Sequence, residues 1–148
     1  MSLQQRLSDE IKSAMIAKDA DRLGTLRLLK SAMGYAQIEK KSEQTSDADF
    51  IALVQKEVKK RRDSVEQFEK GGRPELAAKE KQEIAFLEIF LPQAMSEEEV
   101  EQLVRDAIQE VGATSKKEMG QVIKAAQAKA AGRTEGKTIS ALVGKLLP

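Results

Sequence analysis

Cysteine, histidine and tryptophan are all absent from this chain of 148 residues. Without cysteine there are no disulfides and no thiolate metal sites, which suits a reducing compartment. Without histidine the commonest metal ligand and the usual acid–base group near neutral pH are missing. Four phenylalanines and one tyrosine are the whole aromatic content, so there is little material of the kind strands favour. No run of about 18 apolar residues exists, and no membrane span is expected. The opening stretch MSLQQRLSDE carries charges where a signal peptide needs an apolar core. A cytoplasmic location is therefore expected.

What is present is helix-forming: Ala, Leu, Glu, Lys, Gln and Arg dominate. Hydrophobic residues make up 41% and charged residues 33%, too apolar for a disordered chain. The expected class is all-α. The net charge of +1 hides a polarity. Residues 94–114 hold six acids and one base, net −5, whereas residues 115–148 hold seven bases and two acids, net +5. A basic block of this size either attracts phosphates or neutralises the acidic helix beside it.

Seven helices can be placed by their 3.6-residue period. The first covers about 3–18, with Ser2 and Gln5 at capping-box spacing. The second covers about 20–40. A polar loop follows, and the third starts after Ser46 or Asp47. Gly71-Gly72 ends it, and Pro74 opens the fourth at the first helical position. Pro92 is expected to stop the fourth. Beyond it, Ser96 with Glu99 and Ser115 with Glu118 mark the fifth and sixth helices as further capping boxes. Gly112 and Gly132 end these two, and the seventh follows the turn at 132–137. The expected layout is a four-helix bundle over 1–92 and a three-helix domain over 93–148. A unit of about 55 residues has a marginal core by area arguments, so it is expected to lean on the larger unit or on a partner.

Catalysis is poorly supported. Serines and threonines have no histidine to activate them, so no catalytic residues are expected. The acidic triplet Glu97, Glu98 and Glu99 sits in a first helical turn, where the macrodipole explains it better than a metal does. No glycine-rich phosphate loop is present, and no metal or cofactor is expected. Arg61 is less ordinary. It falls on the apolar stripe between Val58 and Val65, and Glu80 and Glu83 interrupt the stripe of the following helix. A partly buried pair of Arg61 with Glu80 or Glu83, fixing helix register, is expected. The run from Lys59 to Arg62 spreads around its helix and reads chiefly as a solvated face.

Residues 119–145 are the best functional segment. Gly120 lies inside a helix, where it costs up to about 1 kcal/mol relative to Ala, and suggests close approach of helix seven or of a ligand. Lys124, Lys129, Arg133 and Lys137 can surround a phosphate chain at the N-terminus of the seventh helix, which Gly136 and Lys137 precede. The mechanical alternative is glycine for packing and turns, and lysine for solubility. No aromatic residue is here, so recognition of nucleic acid would be of backbone and shape.

The segments MGQVIK (119–124) and GRTEGKTISALVGKLL (132–147) resemble the C-terminal tail of the B subunit of the tRNA-dependent amidotransferase. TLRLLKSA (25–32), KKRRDSVEQFEKGGRPELA (59–77) and EIFLPQ (88–93) resemble the free-standing bacterial YqeY proteins. The resemblance covers essentially the whole chain. It implies a helical bundle followed by a three-helix tail that engages tRNA while other domains do the chemistry. It further implies tRNA-backbone contact at Lys124, Arg133, Gly136 and Lys137. Where that motif commonly has a base and then Met, this chain has Gln121 and Ile123. The implied function is a non-catalytic tRNA-binding accessory module. The alternatives are a protein–protein adaptor, or a helper of a glutamine-dependent amidotransferase, a carbon–nitrogen ligase with glutamine as amido donor. The expected partners are tRNA or a tRNA-charging or amidating enzyme, and no DNA.

Overall fold

Single residues set the helix ends in this chain. In the computed structural model, which describes residues 1–148, α1 spans Leu3–Ile16 and Ser2 Oγ accepts from the Gln5 N–H at 3.1 Å. Gln5 does not complete the box. Its amide donates to Asp9 Oδ1 at 3.2 Å, and Asp47 Oδ1 accepts from the next N–H along, that of Leu3, at 2.9 Å. α1 ends two residues before the expected Lys18, because Lys18 takes a left-handed φ of 54°. Asp19 then caps α2 (Ala20–Lys40), accepting from the Arg22 N–H at 3.2 Å. Lys41 ends that helix with a φ of 53°. Ser46 caps α3 (Asp47–Lys70), and Pro74 occupies the first position of α4 (Pro74–Glu88). α4 stops before Pro92 acts on it. The N–H groups of Phe90 and Leu91 donate to the carbonyls of Leu87 and Glu88 at 3.2 and 3.0 Å. This tighter turn carries Phe90 into the core, where its ring meets Phe50 edge-on at 5.4 Å.

The chain divides into two compact units, Met1–Leu91 and Pro92–Pro148, a break one residue before the expected one. All regular structure is helical. The first unit closes around Leu7, Leu26, Leu29, Phe50, Val54, Val58 and Leu87, each nearly or wholly buried. These are the positions that helical spacing assigns inward, and excluding water from them is the main force holding the four helices together.

The second unit has its own core, with Val104, Ala107, Val122, Ala126, Ile139 and Val143 at its centre. α5 (Glu97–Val111) is capped by Ser96 and ended by Gly112 at a φ of 72°. The third box forms differently from expectation. A 3-10 turn, Lys116–Glu118, precedes α6 (Met119–Ala130), and the Ser115 hydroxyl makes no cap bond. Glu118 Oε2 accepts instead from the Thr114 N–H at 2.8 Å. The tighter winding of the 3-10 turn displaces the geometry the box requires. α6 ends on Ala131, left-handed with a φ of 48°, and Gly132 follows with a φ of 83°.

α7 (Gly136–Leu146) returns antiparallel to α6, and three contacts fix the register. A Cβ on Gly136 would stand 2.9 Å from the Gln127 amide nitrogen. One on Gly144 would stand 3.5 Å from the Met119 methyl. Further along, the Lys116 N–H donates to the Pro148 carbonyl at 3.2 Å. Close approach therefore occurs at Gly136 and Gly144. Gly120, where it was expected, has nothing within 4 Å of a built Cβ. Its place on the exposed side of α6 accounts for the difference.

Candidate functional site

Acid and base are sorted by helix in the second unit. α5 carries all six acids of residues 94–114 against Arg105 alone, whereas α6 and α7 carry four lysines and no acid. Two of the five expected basic-site residues are spent on α5. Lys129 Nζ pairs with Glu110 Oε2 at 2.7 Å, and that hydrogen bond and charge raise the lysine above its usual range. Arg133 donates to Glu99 Oε2 at 3.0 Å and, through Nε, to the Gln93 carbonyl at 2.9 Å. Its own carbonyl accepts from the Met95 N–H at 3.1 Å. Arg133 is thus a strut that ties the segment before α5 to the turn between α6 and α7.

Gly136 lets Gln127 lie against the first turn of α7. Lys124 and Lys137 are exposed and form no ion pair. Helical spacing places both on the side of α6 and α7 away from α5. Gln127 and Met119 mark the edge of α6 that faces α7, Lys129 marks the edge that faces α5, and Lys124 lies outside that arc. Lys116, Lys117 and Lys145, which the sequence offered only as part of a charge count, are exposed as well. For Lys145 the signal was the absence of any acid inside α7.

The second expected constellation is an ion cluster between α3 and α4. Arg61 Nη1 donates to Glu57 Oε2 at 3.2 Å and to the Glu57 carbonyl at 3.1 Å. Its Nε lies 3.6 Å from Glu83 Oε2 and is buried without a hydrogen bond. The side chains of Arg61, Glu57 and Glu83 are 11, 15 and 19% exposed, so the cluster is largely screened from water. Burial, and then the negative charge of Glu83, hold the Glu80 carboxyl above the ordinary range, with Arg61 opposing. Glu57, on the same helix one turn before Arg61, was missed from the sequence because spacing rules attend to apolar stripes. Of the basic run, Lys60 reaches Glu57 at 3.5 Å and Lys59 is exposed.

No group of three or more acids sits where it can hold a metal ion. No helix is long and apolar enough to cross a membrane. What the arrangement offers is a lysine-bearing surface on α6 and α7, which can attract an anion.

The family model for Yqey-like protein matches residues 4–147. An uncharacterised protein of Schizosaccharomyces pombe is 34% identical over 95 residues, 64% of this chain and 76% of the relative. "Altered inheritance of mitochondria protein 41, mitochondrial" of Lachancea thermotolerans is 32% identical over 107 residues, 71% of this chain and 57% of the relative. The protein of the same name from Kluyveromyces lactis is 34% identical over 95 residues, covering 62% and 51%. This chain thus spans about half the length of the mitochondrial relatives it matches. With the model matching nearly end to end, the chain belongs to the family of YqeY-like proteins.

Proposed function

We propose that this protein is a non-catalytic accessory module that binds tRNA through its second unit, in the manner its resemblance to the amidotransferase tail implies. The observation that carries the reading is the sorting of charge: α6 and α7 present lysines and no acid, and Lys124 and Lys137 are left unpaired. Such a surface engages phosphates as point charges and reads no bases. The site is smaller than the sequence suggested, since Lys129 and Arg133 serve α5. The compartment is one that holds tRNA. Composition favours the cytosol, whereas the name of the fungal relatives points to mitochondria, and cell fractionation distinguishes the two.

The test is binding of the full chain to total tRNA at low and at physiological salt, with Lys124 and Lys137 changed together to Ala. Salt-sensitive binding that falls in the double variant supports the module. No binding at low salt sinks it.

One observation favours the adaptor reading. Leu28, Tyr35 and Ile38 share one side of α2 and are 58, 74 and 74% exposed, more apolar surface than a solvated helix needs. An enzyme that charges or amidates tRNA would bury this stripe, and its capture by the protein would be abolished by Leu28→Ser with Ile38→Ser.

A further inference from the structure

The antiparallel register of α7 against α6 and the 3-10 turn before it arranges four lysines in two pairs. The contacts of Gly136 with Gln127, of Gly144 with Met119 and of Lys116 with Pro148 place residues of the two helices level when their numbers add to about 263. Lys137 then lies within about 3 Å, along the axis, of the level of Lys124. Lys145 lies within about 2 Å of the level of Lys117. The two levels are about 11 Å apart along the helices. All four side chains are exposed. Between and beside them the surface is small or neutral: Gly120, Ala128 and Ala141 are exposed, and Gln121 and Thr138 are the neighbouring polar groups.

We infer that this outer face of α6 and α7 receives the sugar–phosphate backbone of an A-form RNA double helix, and not an unpaired strand. The inference rests on the tRNA-binding reading and narrows it to the base-paired arms. Three features support the choice. No aromatic residue occurs between Met119 and Pro148, so unpaired bases find no platform on which to stack. The exposed small residues Gly120, Ala128 and Ala141 leave room for close approach, which suits the wide, shallow minor groove of A-form RNA. Lysine pairs at two levels suit phosphates repeated along strands of fixed shape. Gln121 and Thr138 then stand where an amide and a hydroxyl can exchange hydrogen bonds with 2′-hydroxyls, the groups that separate RNA from DNA. No acid lies within α6 or α7; of the two acids that flank them, Glu118 turns its carboxylate to the Thr114 N–H, and Glu135 is exposed just before the first turn of α7.

The experiment compares four labelled probes on the full chain by fluorescence anisotropy: total tRNA, an RNA hairpin with a long perfect stem, an unpaired RNA of equal length, and a DNA hairpin of the same sequence. The RNA hairpin is expected to bind within a few-fold of tRNA and about ten-fold tighter than either other oligonucleotide. Lys117→Gln with Lys145→Gln, both at exposed positions, is expected to weaken hairpin binding about ten-fold and leave the melting curve unchanged. If tRNA binds while the unpaired RNA matches or exceeds the hairpin, the inference is overturned and the tRNA reading stands. Equal binding of the DNA hairpin also overturns it, since the face would then read charge alone. If tRNA itself does not bind, both fall together.

Discussion

At position 61 the chain puts a guanidinium where helical spacing asks for an apolar side chain. The cost is met by carboxylates on two helices, Glu57 of α3 and Glu83 of α4. The cation also restrains three acids that would otherwise repel one another. Arg61→Met therefore removes more than packing. It leaves Glu57, Glu80 and Glu83 together without a counter-charge, and is expected to destabilise the first unit by about 2 kcal/mol or more. Chemical denaturation measures this, and adding Glu57→Gln and Glu83→Gln to the same chain should recover most of the loss. Glu80 makes the complementary case. Its carboxyl is raised in the fold by burial and by Glu83. A raised acid binds its proton more readily folded than unfolded, so its ionised form weakens the fold at pH above the folded value. That penalty fades as pH falls through the raised value and is gone below the unfolded one. Glu80→Gln is thus expected to raise the melting temperature at neutral pH, by an amount that shrinks on acidification. An equal gain at pH 4 and pH 7 would show that the carboxylate's charge is not the cause.

The helices themselves were almost wholly legible, and the reasons are local. Apolar period fixed their existence, and Ser2, Asp19, Ser46 and Ser96 cap four of them with side-chain oxygens on backbone N–H groups. Illegible features depended on contacts distant in sequence. Nothing near Leu3 announces that Asp47 will accept its N–H, and nothing near Arg133 announces Glu99. Ser115 shows a motif overruled by its surroundings, because a 3-10 turn follows where an α-helical turn was expected. Ser96→Ala should cost about 1 kcal/mol of helix stability, while Ser115→Ala should be close to neutral, a contrast that thermal melts of the two variants would expose. Gly120 was read as a place of close approach, yet a Cβ there meets nothing within 4 Å. Replacing it with Ala fills no occupied space and lowers the freedom of the unfolded chain, so a gain of about 0.5–1 kcal/mol is expected. A destabilised Gly120→Ala would mean that the backbone there needs a conformation or a contact only glycine permits.

Across the molecule, composition alone leaves two readings of the basic block of residues 115–148 equally weighted, neutralising α5 or attracting phosphates. Structure separates them residue by residue: Arg133 and Lys129 neutralise α5, and Lys117, Lys124, Lys137 and Lys145 face outward. The two groups should therefore respond differently to the same kind of mutation. Each phosphate contact contributes roughly 0.7 to 0.9 to the steepness with which log affinity falls against log salt. Four outward lysines imply a slope of about −3, and changing Lys124 and Lys137 to Ala should flatten it by about 1.5 without moving the melting temperature. Arg133→Ala should do the reverse. It frees Glu99 and the Gln93 carbonyl from their common partner, lowers the melting temperature of the second unit, and leaves the salt slope of the folded protein unchanged. Arg133→Lys keeps the charge but lacks the planar fork that reaches both acceptors, so it should repair little of that stability. If Arg133→Lys instead restored full stability, bulk charge balance against α5 would suffice, and the strut would be no more than a solvated ion pair.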